Sequence, residues 1–170
     1  MERYAAGDVG AFEELYGRYE RSLYGFCLRY LGDPDAAADA FQDVLKHVVD
    51  ARDVYEPRGR FRSWIFTIAR RICVDSVRQA RSTALFDARA GVPAEQITGV
   101  EPGFEERVAE LDEIQLLLRS LPREQREALL LSKYEGFSYA EIAAMIGSTE
   151  AGVKQKVYRA LRTLRAQPAS

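Results

Sequence analysis

Apolar residues recur at three- and four-residue steps along most of the chain, the period of an amphipathic helix. The first stripe stops before Gly32 and is built from large side chains: Leu15, Tyr19, Leu23, Phe26 and Tyr30. Asp33 suits a helix N-cap and Pro34 the first helical position. They predict a second helix with an apolar side of Ala37, Phe41, Val44, Leu45 and Val48.

Proline and glycine interrupt this pattern between Tyr55 and Arg60, which predicts a loop. A third long helix follows, with a buried side predicted at Phe61, Ile65, Ile68, Ile72 and Val77. From Ser82 to about Gly103 the apolar period is weak and acidic residues prevail. This composition predicts a flexible linker.

The second half of the chain returns to helical periodicity. Pro122 is expected to open a helix that runs to Tyr134 and ends at Gly136. Ser138 and Glu141, three residues apart before an apolar run, form a capping box. Ala143, Gly147 and Val153 then have the spacing of a helix-turn-helix, with a small residue, a turn glycine and an aliphatic plug.

These patterns predict an all-α protein of two small helical domains joined by a flexible linker. The expected boundaries are 1–81 for the first domain, 82–103 for the acidic linker and 104–170 for the domain with the helix-turn-helix.

Charge is segregated along the chain, although the formal net charge is only −2. Residues 52–81 carry eight basic and three acidic side chains, and residues 144–170 carry five basic and one acidic. The intervening blocks are acidic. Two separate basic blocks predict two phosphate-facing surfaces, whereas a solvated charged face is the simpler alternative for either block alone.

The last helix is the first candidate nucleic-acid surface. Opposite its apolar side it presents cations and amides able to reach phosphates and base edges in a major groove: Lys154, Gln155, Tyr158, Arg159 and Arg162. The alternative is a helical hairpin with a basic solvent-facing side.

The second candidate surface combines aromatic residues with arginines. Trp64 and Phe61 flank an arginine-rich loop, and Arg71 and Arg78 lie seven residues apart on one helical face. Bases stack on aromatic rings while arginines follow the backbone, which suits single-stranded DNA. An ordinary core tryptophan is the alternative for Trp64.

Little in the sequence favours an enzyme, a membrane protein or a cofactor site. His47 is the only histidine and has no partner at metal-ligand spacing, so neither a metal nor a cofactor is expected. Cys27 and Cys73 lie in apolar patterns typical of reduced core thiols. With no signal peptide or apolar span, a cytoplasmic protein without membrane insertion is expected.

Several motifs resemble the extracytoplasmic-function sigma factors of the sigma-70 family. The segments 11–16, 39–44 and 61–70, with sequences AFEELY, DAFQDV and FRSWIFTIAR, resemble the family's second conserved region. The segments 121–128 and 136–143, LPREQREA and GFSYAEIA, resemble its fourth region, and 153–160, VKQKVYRA, resembles that region's recognition helix.

The resemblance implies an alternative sigma factor whose partners are core RNA polymerase, through the β′ clamp and β flap, and promoter DNA in double- and single-stranded form. An anti-sigma factor is a further candidate partner. The implied polymerase-binding residues are Asp39, Gln42, Asp43 and Lys46. The implied −10 residues are Tyr55, Arg58, Arg60, Arg62, Trp64, Arg70, Arg71 and Arg78. The implied −35 residues are Ser148, Lys154, Gln155, Lys156, Tyr158, Arg159 and Arg162.

The chain departs from the family pattern at three of these positions or beside them. Arg71 stands where the family often has Asn, and Gly152 and Gln155 stand where Thr and Ser are usual. The resemblance therefore does not predict the base preference. An ordinary helix-turn-helix repressor or activator would account for the second half alone, and an adaptor or anti-sigma-like protein would leave both basic surfaces unexplained.

Overall fold

The computed structural model describes residues 1–56, 60–90 and 114–166, and within these ranges every regular element is helical. The helices are α1 (Glu2–Ala5), α2 (Gly10–Leu31), α3 (Pro34–Asp50), α4 (Phe61–Ala90), α5 (114–120), α6 (Arg123–Leu129), α7 (Tyr139–Ile146) and α8 (Glu150–Arg165). The predicted all-α class is confirmed. None of the helices in the described ranges is both long and apolar enough to span a membrane.

Helices α2, α3 and α4 form the N-terminal half, and their boundaries follow the predicted signals. Gly32 ends α2 in the left-handed conformation, with φ of 72°, and its N–H donates to the Leu28 carbonyl. The Asp33 side chain accepts a hydrogen bond from the N–H of Ala36, and Pro34 takes the first position of α3. The sharp turn between α2 and α3 is thus encoded in three consecutive residues.

Helix α4 is longer than the sequence pattern indicated. The linker was expected to begin at Ser82, yet the helix continues to Ala90, so residues 82–90 extend α4. The segment from Phe61 to Ala90 contains neither glycine nor proline, and alanines at its end favour helix without an apolar stripe. The remainder of the predicted linker, 91–103, lies outside the described residues, as do 104–113.

Helices α5 to α8 form the C-terminal half. The helix predicted from Pro122 to Tyr134 is α6 followed by a π-helical turn, Leu130–Tyr134. Ser138 and Glu141 make the predicted capping box, and Gly147 turns the chain in the left-handed conformation between α7 and α8. The predicted helix-turn-helix is therefore present.

The two halves pack against each other through one continuous core. Buried apolar residues of α2, α3 and α4 belong to the same cluster as those of α6, α7 and α8. Phe66 of α4 and Phe137, just before α7, meet edge to face with ring centroids 5.3 Å apart. Two small domains joined by a flexible linker were expected, so this shared core is a finding of the structure.

Candidate nucleic-acid interface

Helix α8 presents one buried and one exposed side. Val153, Val157 and Ala160 are buried against the rest of the C-terminal half. On the opposite side five of the predicted −35 residues are exposed to solvent: Lys154, Gln155, Tyr158, Arg159 and Arg162. Tyr158 keeps 64% of its surface exposed, an unusual position for a large aromatic ring. This face is free to enter a groove.

The other two predicted −35 residues are partly engaged. Ser148 is half-buried before α8, and the Lys156 amine lies 3.0 Å from the Glu124 carboxylate of α6. A Cβ placed on Gly152 would lie only 2.9 Å from the Ser148 hydroxyl oxygen. Glycine at 152 therefore leaves room for the Ser148 hydroxyl at the start of the helix.

An aromatic cluster lies where the N-terminal half meets the predicted loop. The Tyr55 ring is 5.2 Å from Trp64, and Phe61 is 5.5 Å from Trp64, measured between centroids. All three are partly exposed, and burial raises the pKa of the Tyr55 phenol. Trp64 is thus neither a fully buried core residue nor a free stacking platform. Arg60 beside it is exposed, and Arg58 lies outside the described residues.

The predicted −10 arginines of α4 separate into two groups. Arg71 and Arg78 are exposed. Arg62 and Arg70 instead contact the C-terminal half, where each meets a buried carboxylate. Neither Arg62 nor Arg70 is therefore free to bind DNA in this structure, although both were predicted to contact the −10 element.

Arg62 is held by charge, by an aromatic face and by the backbone. Its guanidinium carbon lies 4.2 Å from the Phe137 ring centroid, in a cation–π contact. One of its nitrogens donates to the Glu135 backbone carbonyl and lies 3.9 Å from the Glu135 carboxylate. Burial raises the pKa of Glu135, and Arg29 and Arg62 oppose that shift.

Arg70 pairs with Glu127 of α6. The guanidinium binds both carboxylate oxygens, one contact being 3.5 Å long. The Glu127 side chain is only 5% exposed. The fork of Arg70 is thereby occupied in the way that a phosphate would occupy it.

The predicted polymerase-binding residues lie on the exposed side of α3. Asp39, Gln42, Asp43 and Lys46 are exposed, opposite buried residues such as Ala40 and Val44. Asp39 and Asp43 also line a groove of about 450 Å³ between α3 and α4, and Arg71 lines its other wall. The two predicted sets therefore meet in one groove.

Sequence reasoning missed the residues that join the halves. Side chains of α5 and α6 donate to the end of α2: Gln115 to the Leu28 carbonyl at 3.0 Å, Arg126 to the Tyr30 carbonyl at 3.1 Å, and Arg119 to the Gly32 carbonyl. Arg123 donates to the Tyr30 hydroxyl at 3.1 Å. One feature of the sequence could have indicated this contact: Glu127 and Glu135 flank an apolar run. Acidic residues are unusual beside a buried segment.

Comparison with protein families gives two matches. The model of sigma-70 region 2 matches residues 15–83, and that of sigma-70 region 4 matches residues 111–164. The RNA polymerase sigma factor CarQ of Myxococcus xanthus is 32% identical over 97% of this chain and 93% of its own length. The ECF RNA polymerase sigma factor SigK of Mycobacterium sp. (strain KMS) is 30% identical over 97% of this chain and 86% of its own.

Solved structures agree with these matches. The sigma factor RpoE of Bartonella quintana, solved with the anti-sigma factor NepR, has a TM-score of 0.74 and 28% identity, over 92% of this chain and 96% of that one. CnrH, solved with the cytosolic domain of CnrY, has a TM-score of 0.76 over 97% of this chain and 92% of that one. Its 23% identity makes it a likeness of fold.

Proposed function

The chain belongs to the sigma-70 family as an alternative sigma factor of the extracytoplasmic-function group, and we propose that it works through three separate surfaces. The exposed side of α3 binds core RNA polymerase, α4 with the segment 55–60, predicted from the sequence to be a loop, binds the −10 element, and α8 binds the −35 element. The observation that carries this proposal is that the three surfaces differ in chemistry. The α3 surface is acidic with an amide, the α4 surface combines aromatic rings with arginines, and the α8 surface carries cations on a helix-turn-helix.

The polymerase surface is assigned to Asp39, Gln42, Asp43 and Lys46. Their side chains are exposed along one side of α3 while its apolar side is buried. A carboxylate-rich face suits a basic partner and would repel DNA. We assign this surface to the β′ clamp and a surface of the C-terminal half to the β flap, as the family resemblance implies.

The −10 surface is assigned to the aromatic cluster and the α4 arginines. Tyr55 and Trp64 offer rings on which unstacked bases pack, and Arg71 and Arg78 offer exposed cations for the backbone. Trapping unpaired bases shifts the duplex toward the melted state. The chemistry of transcription remains with the polymerase.

The −35 surface is assigned to the exposed side of α8. Lys154, Arg159 and Arg162 supply positive charge, and Gln155 supplies an amide that can pair with a base edge. The Thr149 hydroxyl caps the helix by accepting from the N–H of Gly152 at 3.1 Å. The cap fixes the first turn of α8 and thereby the direction in which Lys154 and Gln155 approach the major groove of DNA.

An anti-sigma factor is proposed as a regulatory partner. The similar RpoE was solved with an anti-sigma factor. A protein of that class is expected to block transcription when it is added before core polymerase.

The decisive experiment is run-off transcription with core polymerase, this chain and a library of genomic promoter fragments. Defined transcripts that require the chain are the expected result. A chain that binds a DNA site tightly without polymerase, and yields no transcript with it, would contradict the proposal and favour an autonomous helix-turn-helix regulator.

A further inference from the structure

The exposed side of α8 has a central row of uncharged side chains. Successive residues of an α-helix are turned by about 100° around its axis. Ala151, Gln155 and Tyr158, spaced by four and three residues, therefore lie in one row, and all three are exposed. Val153 and Val157 are buried on the opposite side of the helix. The row thus points directly away from the core of the C-terminal half.

Cations lie on both sides of this row. By the same geometry Lys154 lies on one side and Arg159 on the other, and Arg162 continues the row toward the end of the helix. A recognition helix in a major groove has a phosphate backbone on either side, and contacts to phosphate position the helix without reading sequence. The flanking cations therefore suit the two backbones, and the uncharged row meets the base edges.

Gln155, in the middle of the row, has a fixed backbone and an unoccupied amide. The Thr149 hydroxyl accepts a hydrogen bond from the N–H of Gly152 at 3.1 Å and so fixes the first turn of α8. Among the residues that the structure describes, none is hydrogen-bonded to the Gln155 side chain. The neighbouring Lys156, by contrast, is already paired with Glu124 at 3.0 Å. The Gln155 amide is therefore free to bind a partner outside the chain.

The chemistry of the row favours A·T base pairs. A glutamine amide can donate to adenine N7 and accept from adenine N6 at the same time, and no other base offers that pair of groups in the major groove. The methyl group of Ala151 and the ring of Tyr158 are apolar surfaces that fit the C5-methyl group of thymine. At a rise of about 1.5 Å per residue the row is about 10 Å long, the height of about three base pairs.

We propose that Gln155 sets the base specificity of this chain in the −35 element by reading an adenine, and that Tyr158 packs against the methyl group of a neighbouring thymine. This inference rests on the proposed function, because it concerns the surface assigned there to the −35 element. A serine at position 155, which the family pattern usually has, offers a single hydroxyl and cannot form the paired contact. Residue 155 is therefore where the promoter preference of this chain should diverge from that pattern.

The test uses holoenzyme formed from the full chain and core polymerase, with a promoter fragment recovered by run-off transcription. Each base pair of its −35 element is replaced in turn by the other three, and affinity is measured by filter binding. The parent is expected to prefer adenine at one position by roughly tenfold. Gln155→Ser should reduce that preference to about twofold and leave the preferences at the other positions unchanged.

A change of preference is a stronger result than a loss, because a misfolded variant cannot produce it. Arginine pairs with guanine O6 and N7, so Gln155→Arg should prefer guanine at the position where the parent prefers adenine. Gln79→Ser is the matched control, since it makes the same replacement at an exposed position of α4. It should keep the adenine preference of the parent.

The contact of Tyr158 is tested on the DNA. Deoxyuridine lacks only the C5-methyl group of thymidine, and is placed at each thymine of the −35 element in turn. At a thymine beside the adenine the parent should lose affinity about three- to fourfold, and Tyr158→Ser should show no such loss. Equal affinity of the parent for both forms of DNA at every position would overturn the assignment of Tyr158.

The outcomes separate this inference from the proposed function. If the chain directs transcription but Gln155→Ser keeps the adenine preference, or Gln155→Arg does not move it to guanine, only the inference about Gln155 is wrong. If the chain directs no transcription with core polymerase, the proposed function itself fails.

Discussion

Arg119 and Arg126, with the amide of Gln115, donate to backbone carbonyls at the end of α2 instead of pointing into solvent. The last carbonyls of a helix lack partners within the helix and carry partial negative charge. Here Arg126 and Arg119 donate to the carbonyls of Tyr30 and Gly32, and the Gln115 amide adds a second donor to the Leu28 carbonyl. Such partners lie 87 to 96 residues away in sequence, so no local pattern could have indicated them.

Glu135 is expected to make folding stability depend on pH. Burial raises its pKa, so the folded state favours the protonated carboxyl more than the unfolded chain does. Its contribution to the free energy of unfolding is therefore fully present below about pH 4.3 and is lost as the pH rises through the raised pKa. Relative to the parent, Glu135→Gln should become more stable in urea denaturation as the pH rises above the ordinary glutamate pKa of about 4.3.

Glu124→Gln supplies a control of opposite sign. Lys156 lowers the pKa of Glu124, so that carboxylate stabilises the fold above its ordinary pKa and loses this effect as the pH falls. Glu124→Gln should lose stability relative to the parent as the pH rises. Parallel pH profiles for the two variants would contradict both assignments.

Asp43 provides the test of the polymerase surface. Asp43→Arg reverses a charge on the exposed side of α3 and is expected to weaken binding to core polymerase by about tenfold, with helical content unchanged. Asp53→Arg, an equal charge change at an exposed position beyond α3, is the control. Equal affinity of the two variants in a pull-down titration would show that α3 does not dock there.

At the scale of elements, the helix boundaries that local chemistry controls were predictable and those that packing controls were not. Gly32, Asp33 and Pro34 fix the α2–α3 turn, and Ser138, Glu141 and Gly147 fix α7, because each acts on its own backbone neighbours. The π-helical turn at Leu130–Tyr134 has no such local signal. It occurs where Tyr134 packs its ring 4.5 Å from the Arg29 guanidinium of the other half, a long-range contact.

The exposed side of α8 could likewise be predicted, because apolar periodicity separated it from the buried side. Lys154→Ala or Arg159→Ala should cost about 1–3 kcal/mol of promoter binding if the side chain contacts a base edge. A phosphate contact would instead reduce the slope of log affinity against log salt by about one. Lys133→Ala, at an exposed position outside α8, should change neither quantity. Filter binding to a promoter fragment across a salt series, with polymerase holoenzyme, distinguishes these outcomes.

For the molecule as a whole, the sequence predicted the two halves but not their union. Each half has its own amphipathic helices, and their apolar faces implied a core apiece. The contact between the halves depends on Phe66 packing against Phe137 and on arginines that donate to backbone carbonyls. The apolar pattern of a single helix indicates neither. Four of the arginines, Arg62, Arg70, Arg71 and Arg78, were predicted to lie on one helix and do so, yet their division into exposed and occupied pairs appeared only in the folded chain.

The whole chain is expected to need polymerase to engage both promoter elements. The contact between the halves fixes the position of α8 relative to α4, and opening it would expose the shared core. Footprinting of a cognate promoter at moderate salt should protect both elements in the presence of core polymerase. Without core, protection should be weak and confined to the −35 side. Strong protection of both elements by the chain alone would contradict this expectation.

The end of α2 also limits how the chain can be engineered. Gly32 has positive φ, and a Cβ there would lie 2.7 Å from the Arg119 guanidinium. Gly32 therefore both ends α2 and leaves space for a side chain of the other half. A chimera that joins residues 1–90 to the C-terminal half of another sigma factor would keep Gly32 but lose Arg119, together with the partners of Arg62 and Arg70. We expect such a hybrid to be less stable in isolation than either parent, yet to recover promoter choice on polymerase. Exchanging promoter specificity between sigma factors would then require only the residues that read DNA, whereas keeping the free chain stable would require transplanting the residues of the contact as well.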